Sequence, residues 1–240
     1  TAYEISLGLV GSEMCIRDSP MTGPVYINGA KRGDAIEVEL IDIAPDEYGY
    51  TVIAPGFGFL RDVFPDPYIV NWRLTRVGAV SDGMPGITVP YEAFPGSIGV
   101  LPGEPEIKKW KAREADLIGA GGVALGPSPG GAKPASVCGQ TGTNKDDCLR
   151  TIPPRENGGN MDVQQQQIGT KIIFPCFIDG CGLFVGDVHY AQGDGEVSGT
   201  AIEMGSVVTV RVRIKYGKGR GMDMPVTIGN DQIIDMEPTR

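Results

Sequence analysis

Histidine is nearly absent from this chain, which has one, His189, in 240 residues. That disfavours sites built from several imidazoles, such as those of cupin-like metal oxygenases, and a serine or cysteine hydrolase would have to use this one ring as its base. Five cysteines, at 15, 138, 148, 176 and 181, form no C-x-x-C pair, so a zinc ribbon is not expected. Reduced, mostly buried thiols are expected instead, although Cys138 and Cys148 could pair across their loop. No apolar run is long enough to span a bilayer. Positive charge is in the minority: 21 Lys and Arg against 30 Asp and Glu leave a formal net charge of −9. Such a surface repels phosphate backbones and anionic lipids, so neither nucleic acid nor a membrane is expected as a partner. A phosphate-binding G-x-x-x-x-G-K-[ST] is missing, as is G-x-G-x-x-G after a strand. No repeat of fixed period points to a propeller or solenoid.

Glycine and proline, by contrast, are plentiful, at 36 and 19, and they are scattered rather than clustered. With 41% hydrophobic residues and a mean hydropathy of −0.07, this describes a globular chain of many short strands joined by turns. In "AIEVELIDI", Ile36, Val38 and Leu40 alternate with Glu37 and Glu39, the pattern of a half-buried strand. In "SVVTVRVRIKY", Val208, Val210, Val212 and Ile214 share one face while Thr209, Arg211, Arg213 and Lys215 share the other. Further strands are expected at "GPVYIN", "YIVNWRL", "GITVPY", "SIGVLP", "TKIIFPCFI", "GLFVGDVHY", "GEVSGTAIE" and "MPVTIG". One helix is expected, over "EPEIKKWKAREADLIG": Pro105 suits a first turn, Ile107, Trp110 and Glu114 follow helical spacing, and Gly119 can end it. The glycine- and proline-rich stretch after it reads as a long loop. "GFGFLRDVFPDPY" reads as a loop packed over the core.

"GPSPG" at 126–130 satisfies G-x-S-x-G only formally. A nucleophile elbow needs a strand into the serine and a helix out of it, and Pro127 and Pro129 flank Ser128 here. The acidic stretch "GDVHYAQGDGE" at 186–196 says more. On a strand, Asp187 and His189 point to the same face about 7 Å apart, and Gly193 and Gly195 allow a turn that brings Asp194 and Glu196 back toward them. An imidazole with carboxylates is a ligand set for zinc or a similar divalent ion; the plain alternative is a solvated acidic turn. A second acidic motif, "ENGGNMDV" at 156–163, presents Asn160 and Asp162 from a glycine turn and would otherwise be an Asx turn capping a strand.

Together these segments resemble the acetamidase/formamidase family. The resemblance rests on "TGPVYINGAKRGDAIEVELIDI", "APGFGFLRDVFPDPY", "IGVLPGEPE", "LRTIPPRENGGNMDV" and "GDVHYAQGDGEVSGTAIE", in the family's order, from Met21 to about residue 235. It implies a mainly β fold with sandwich and barrel-like parts and one or two short helices. It also implies hydrolysis of short aliphatic amides such as formamide and acetamide, a divalent metal (zinc, with calcium the alternative), and homo-oligomers in the cytoplasm. The matching polar positions are Asn160, Asp162, Asp187, His189, Gln192, Asp194, Glu196 and Glu203. Of these, Asp162, Asp187 and His189 are assigned as metal ligands, Glu196 as proton shuttle, with Asp194 and Glu203 as the alternative carboxylates, and Gln192 or Asn160 as hydrogen-bonding the substrate amide. The competing class is a non-enzymatic β module that binds calcium or carbohydrate through its Gly/Asp-rich turn.

The opening "TAYEISLGLVGSEMCIRDS" resembles translated library-adapter sequence and makes a poor signal peptide. Residues 1–19 are therefore expected to be a tail foreign to the fold, and 20–240 a single amidase domain truncated at both ends, because the family carries further segments on either side.

Overall fold

The structure, a computed structural model, describes residues 2–9, 21–120, 132, 134–229 and 231–235. Its strands are β1 (Ala2–Leu9), β2 (Met21–Tyr26), β3 (Ala35–Ile53), β4 (Tyr68–Leu74), β5 (Gly78–Val80), β6 (Thr88–Pro90), β7 (Phe94–Val100), β8 (Gly158–Asn160), β9 (Lys171–Pro175), β10 (Cys181–His189), β11 (Glu203–Lys215), β12 (Val226–Ile228) and β13 (Ile233–Asp235). Two helices accompany them, α1 (Glu104–Gly119) and α2 (Ala135–Cys138). The strands pair antiparallel throughout, as expected for a mainly β fold.

The long pair of β3 and β11 forms the spine of one half. Glu39 lies opposite Arg211 and Glu37 opposite Arg213, so the polar residues of the two alternating sequences meet as cross-strand ion pairs, while Ile36, Val38, Leu40, Val208, Val210 and Val212 are all fully buried beneath them. β9 pairs with the first five residues of β3 and β4 with its last six, and β1 lies along the other edge of β11. In the other half, β10 runs between β7 and β2, with β8 beyond β7. β10 meets β11 at one rung, His189 opposite Glu203. A single hydrophobic cluster crosses both halves, taking in Ile36 and Val210 from one and Ile98 and Leu183 from the other.

Several expectations need correction. β3 does not stop at Ile43: it continues to Ile53 past Pro45, where the register with β11 shifts, and a bulge is where a sheet tolerates a residue with no N–H. "GEVSGTAIE" is not a strand. Gly195, Glu196 and Gly199 all take left-handed φ angles, so the chain turns repeatedly until β11 begins at Glu203. Among the described residues the cysteines are not reduced thiols, since Cys138 is bonded to Cys148 and Cys176 to Cys181; Cys15 falls outside the described residues. α2 lies within the stretch read as loop, and the "GPSPG" motif falls outside the described residues.

Helix α1 spans the expected residues. Trp110 is buried edge-on against the Phe177 ring, 5.7 Å between centroids. Glu114, by contrast, is used for its charge. It accepts two hydrogen bonds from Arg155, at 2.5 and 3.0 Å, while the adjacent Arg113 donates two to Glu156, at 2.7 and 3.0 Å. These paired bidentate contacts clamp the helix to the "PPREN" segment. Burial pushes the Glu156 carboxyl up, but Arg113 and Lys109 outweigh it and hold the group below the ordinary range. A depressed carboxyl contributes stability above its unfolded pKa and loses it as pH falls through the folded value. Arg113→Ala should therefore cost about 2 kcal/mol at neutral pH, because Glu156 stays buried without its main partner. The deficit should shrink below pH ~4, which urea titrations at pH 7 and 3 would show.

Candidate active site

The segment from Arg155 to Asp162 is shaped by its glycines. Arg155 and Gly158 exchange backbone hydrogen bonds, each 2.9 Å, closing a tight turn that Asn157 anchors through its amide to the Val100 carbonyl. Gly158 has φ +87°, and a Cβ there would sit 2.5 Å from the Ile98 carbonyl oxygen. The chain then pairs with β7, and the N–H groups of Met161 and Asp162 both donate to the Gly96 carbonyl. This delivers Asp162 to the end of β10, opposite Asp187 and His189.

His189 is the hub. Its Nε2 lies 3.5 Å from Glu203 Oε1, 3.7 Å from Asp187 Oδ1 and 4.0 Å from Glu196 Oε1. Asp162, His189 and Glu196 bring their ligand atoms within 4.8 Å of one another, as do Asp187, His189 and Glu203. The ring is fully buried, edge-on to Phe94. Its Nδ1 is 2.8 Å from Gln192 Oε1, and the Gln192 amide nitrogen donates to the Asp162 carbonyl, so the amide oxygen faces the ring and accepts from Nδ1–H. In the neutral ring this tautomer turns the Nε2 lone pair toward the carboxylates. Asp162, Asp187 and Glu196 all sit at left-handed φ angles, 51°, 54° and 44°, backbone strain that collects at functional sites.

The groups that meet at this centre are four carboxylates and one imidazole. One Asp162 oxygen takes a hydrogen bond from Asn160, and the other is buried without a partner. Ser97 donates toward Asn160 Oδ1 at 2.8 Å and Asp187 Oδ2 at 3.2 Å, and the Ala201 N–H donates to Glu203 Oε1. Burial, reinforced by neighbouring carboxylates, pushes Asp162 up to about 7 and Glu196 up to about 8. Burial alone would lower the imidazole, but Glu203, Asp187 and Asp162 together raise it well above its usual value. Carboxylate oxygens at 3.5–4.0 Å around one ring nitrogen fit a shared cation that would replace the ring's Nε2 proton, since ligands about 2.1 Å from one ion stand about 3–4 Å apart.

The sequence-assigned residues thus converge, with two exceptions of role. Gln192 and Asn160, expected to bind the substrate amide, use their side chains within the site, Gln192 on His189 and the Asp162 carbonyl, Asn160 on Asp162 and Ser97. Asp194 stands outside, hydrogen-bonded by Gln164. Ser97 and Gly96 were missed. Ser97 had a signal, as a hydroxyl in the otherwise apolar "FPGSIGV", and Gly96 had none. A Cβ on Gly96 would sit 2.7 Å from the Asp187 carbonyl, 2.8 Å from Asp162 Oδ1 and 2.8 Å from His189 Cε1. Gly96→Ala should therefore spread the cluster, weakening zinc binding about tenfold or more with the circular dichroism spectrum unchanged.

The fold is antiparallel β, and its candidate site gathers one imidazole among carboxylates. Residues 16–236 match the model of the acetamidase/formamidase family, and the chain belongs to that family. It is 34% identical over 220 residues to an acetamidase of Mycolicibacterium smegmatis (82% of this chain, 53% of the relative) and 32% identical over 223 to a formamidase of Methylophilus methylotrophus (86% and 54%). It spans about half the length of these relatives. Among solved structures, a gamma lactamase from Delftia acidovorans superposes with a TM-score of 0.80 at 28% identity, over 99% of this chain and 64% of that one.

Proposed function

We propose that the protein hydrolyses short aliphatic amides, formamide and acetamide among them, to ammonia and the carboxylate. The proposal includes a divalent metal of the zinc type, held by Asp162, Asp187 and His189 with Glu203 completing the set. The observation that carries it is the placement of His189 Nε2, its ring held by Gln192, among carboxylates of which one buried oxygen has no partner. The imidazole favours zinc over calcium, which prefers oxygen ligands alone.

An amide resists hydrolysis because its carbonyl is weakly electrophilic and its amine leaves poorly. A bound zinc-type ion supplies Lewis acidity toward the carbonyl and brings the pKa of water from about 15.7 to about 7. The chain supplies the proton transfers. Glu196 suits this role: its side chain is 19% exposed where those of Asp187 and Glu203 are 3% and 6%, and its raised pKa lets it both take and return a proton near neutrality. It would accept a proton from the attacking water and hand it to the departing nitrogen. Asn160 and Gln192 would keep Asp162 and His189 aimed.

The resemblance extends the reading to a homo-oligomer in the cytoplasm, to residues 1–19 as a foreign tail and to 20–240 as a single amidase domain. No described helix is long and apolar enough to cross a membrane. The test is ammonia release from formamide and acetamide, with and without a chelator, alongside zinc content. Chelator-sensitive release is expected; calcium or sugar binding without ammonia release would establish the module instead.

A further inference from the structure

A cavity of about 320 Å³ opens beside the acidic centre, and Glu196 lines both. Ile53 at the end of β3, Phe57, Leu60 and Phe64 from the "APGFGFLRDVFPDPY" loop, and Val197 give the cavity an apolar lining, to which Asp194, Ser198 and Thr200 add polar groups. The loop is locked onto the turn that carries Glu196. The Phe59 N–H donates to the Val197 carbonyl at 2.9 Å, and Thr200 Oγ1 bridges the N–H and carbonyl of Val52. Two glycines make this contact possible. A Cβ on Gly58 would sit 2.5 Å from the Ser198 carbonyl oxygen, and one on Gly199 would sit 2.4 Å from the Phe57 ring, with φ +82° and +76°. The loop therefore covers no core of its own. It builds a wall around a space that ends at the proposed proton shuttle.

At about 30 Å³ for a water-sized group, the cavity has room for about ten, whereas formamide and acetamide have three or four heavy atoms. Resting on the amidase reading above, we propose that this cavity is the acyl pocket of the site, and that Phe57, Leu60 and Phe64 set its preference for unbranched apolar acyl groups longer than acetyl, from butyryl to hexanoyl. The acyl chain would lie along the aromatic wall and place its amide carbon beside Glu196. Transfer of methylenes from water to such a wall is the source of the selectivity.

Ligand-observed NMR on the 240-residue chain with zinc would measure binding of formamide, acetamide, butanamide and hexanamide. Affinity should rise about fourfold per added methylene from acetamide to hexanamide. Leu60→Ala, in an exposed part of the loop, and Phe57→Ala should each weaken hexanamide about tenfold; Leu60→Ala keeps the test valid if Phe57→Ala fails to fold. A flat series, or an unchanged slope in Leu60→Ala, would overturn the proposal. So would tighter binding of succinamate than of butanamide, which would mark the exposed Arg61 on the cavity lining as an anion anchor. Ammonia release read in parallel separates the two readings. Release from formamide with a flat series removes the acyl pocket alone, and a rising series without release from any amide removes the amidase reading while leaving the pocket.

Discussion

Replacing His189 with alanine should abolish stoichiometric zinc binding, and with it at least a thousandfold of any amide turnover, since Lewis-acid stabilisation and water activation are together worth several kcal/mol. The ring is the one imidazole in the cluster. Without it, Asp162, Asp187, Glu196 and Glu203 remain as buried negative charge that protons, rather than a transition ion, must offset. Inductively coupled plasma analysis of the purified variant would read the loss directly. The wild-type affinity carries a pH signature of the same origin. Asp162 near 7 and Glu196 near 8 hold protons that a cation must displace, so zinc affinity should climb with pH between about 6 and 8. In the metal-free protein the sign reverses for stability. Carboxyls raised above their unfolded values favour the folded state below the ordinary carboxylate range, and that contribution fades as pH rises through 7 and 8. Zinc affinity that stayed level across this range would show that neither carboxyl holds a proton that the cation must displace.

Glu196→Gln should separate chemistry from metal binding. The amide keeps the shape of the carboxylate but cannot shuttle a proton, and general acid–base catalysis is worth about 10²–10⁴ in rate. Turnover should fall by that factor while zinc content stays at the wild-type level, because Asp162, Asp187, His189 and Glu203 are untouched. A variant that retained turnover would move the shuttle to another carboxylate. One that lost zinc as well would make Glu196 a ligand. The parallel change Asp194→Asn should leave zinc content unchanged, since Asp194 lies outside the cluster.

What could be read from the chain and what could not divide along physical lines. Alternation in "AIEVELIDI" and "SVVTVRVRIKY" was legible because side-chain period is local, and the same periods place Ile36 and Val210 in the core. The ends of α1 were legible from Pro105 and Gly119. The two acidic motifs could be found because glycine marks the turns that present Asp162 and Glu196. Illegible were features that depend on distant pairing. The His189–Glu203 rung joins strands whose register no local pattern reports, and the hydrogen bonds of Gln192 and Asn160 depend on what the fold brings beside them. Apolar residues in "GEVSGTAIE" resembled a strand, but three left-handed positions and the packing of Phe57 on Gly199 hold the segment as a turn.

The rung between His189 and Glu203 has a mechanical consequence. Asp162, Asp187 and His189 hang from the half built on β7 and β10, while Glu203 opens the strand that forms the spine of the other half. A cation gripped by all four would be a rivet through the seam. Beside that seam, the Tyr190 N–H bonds to the Ile202 carbonyl at 2.8 Å and the Ile202 N–H to the Ala191 carbonyl at 3.1 Å. These two amides should exchange with deuterium slowly when zinc is present and far faster after chelation, while amides along the β3–β11 spine change little. At a thousandfold excess of ion over its dissociation constant the rivet would add about 4 kcal/mol to the folded state, on top of the hydrophobic cluster that already joins the two halves.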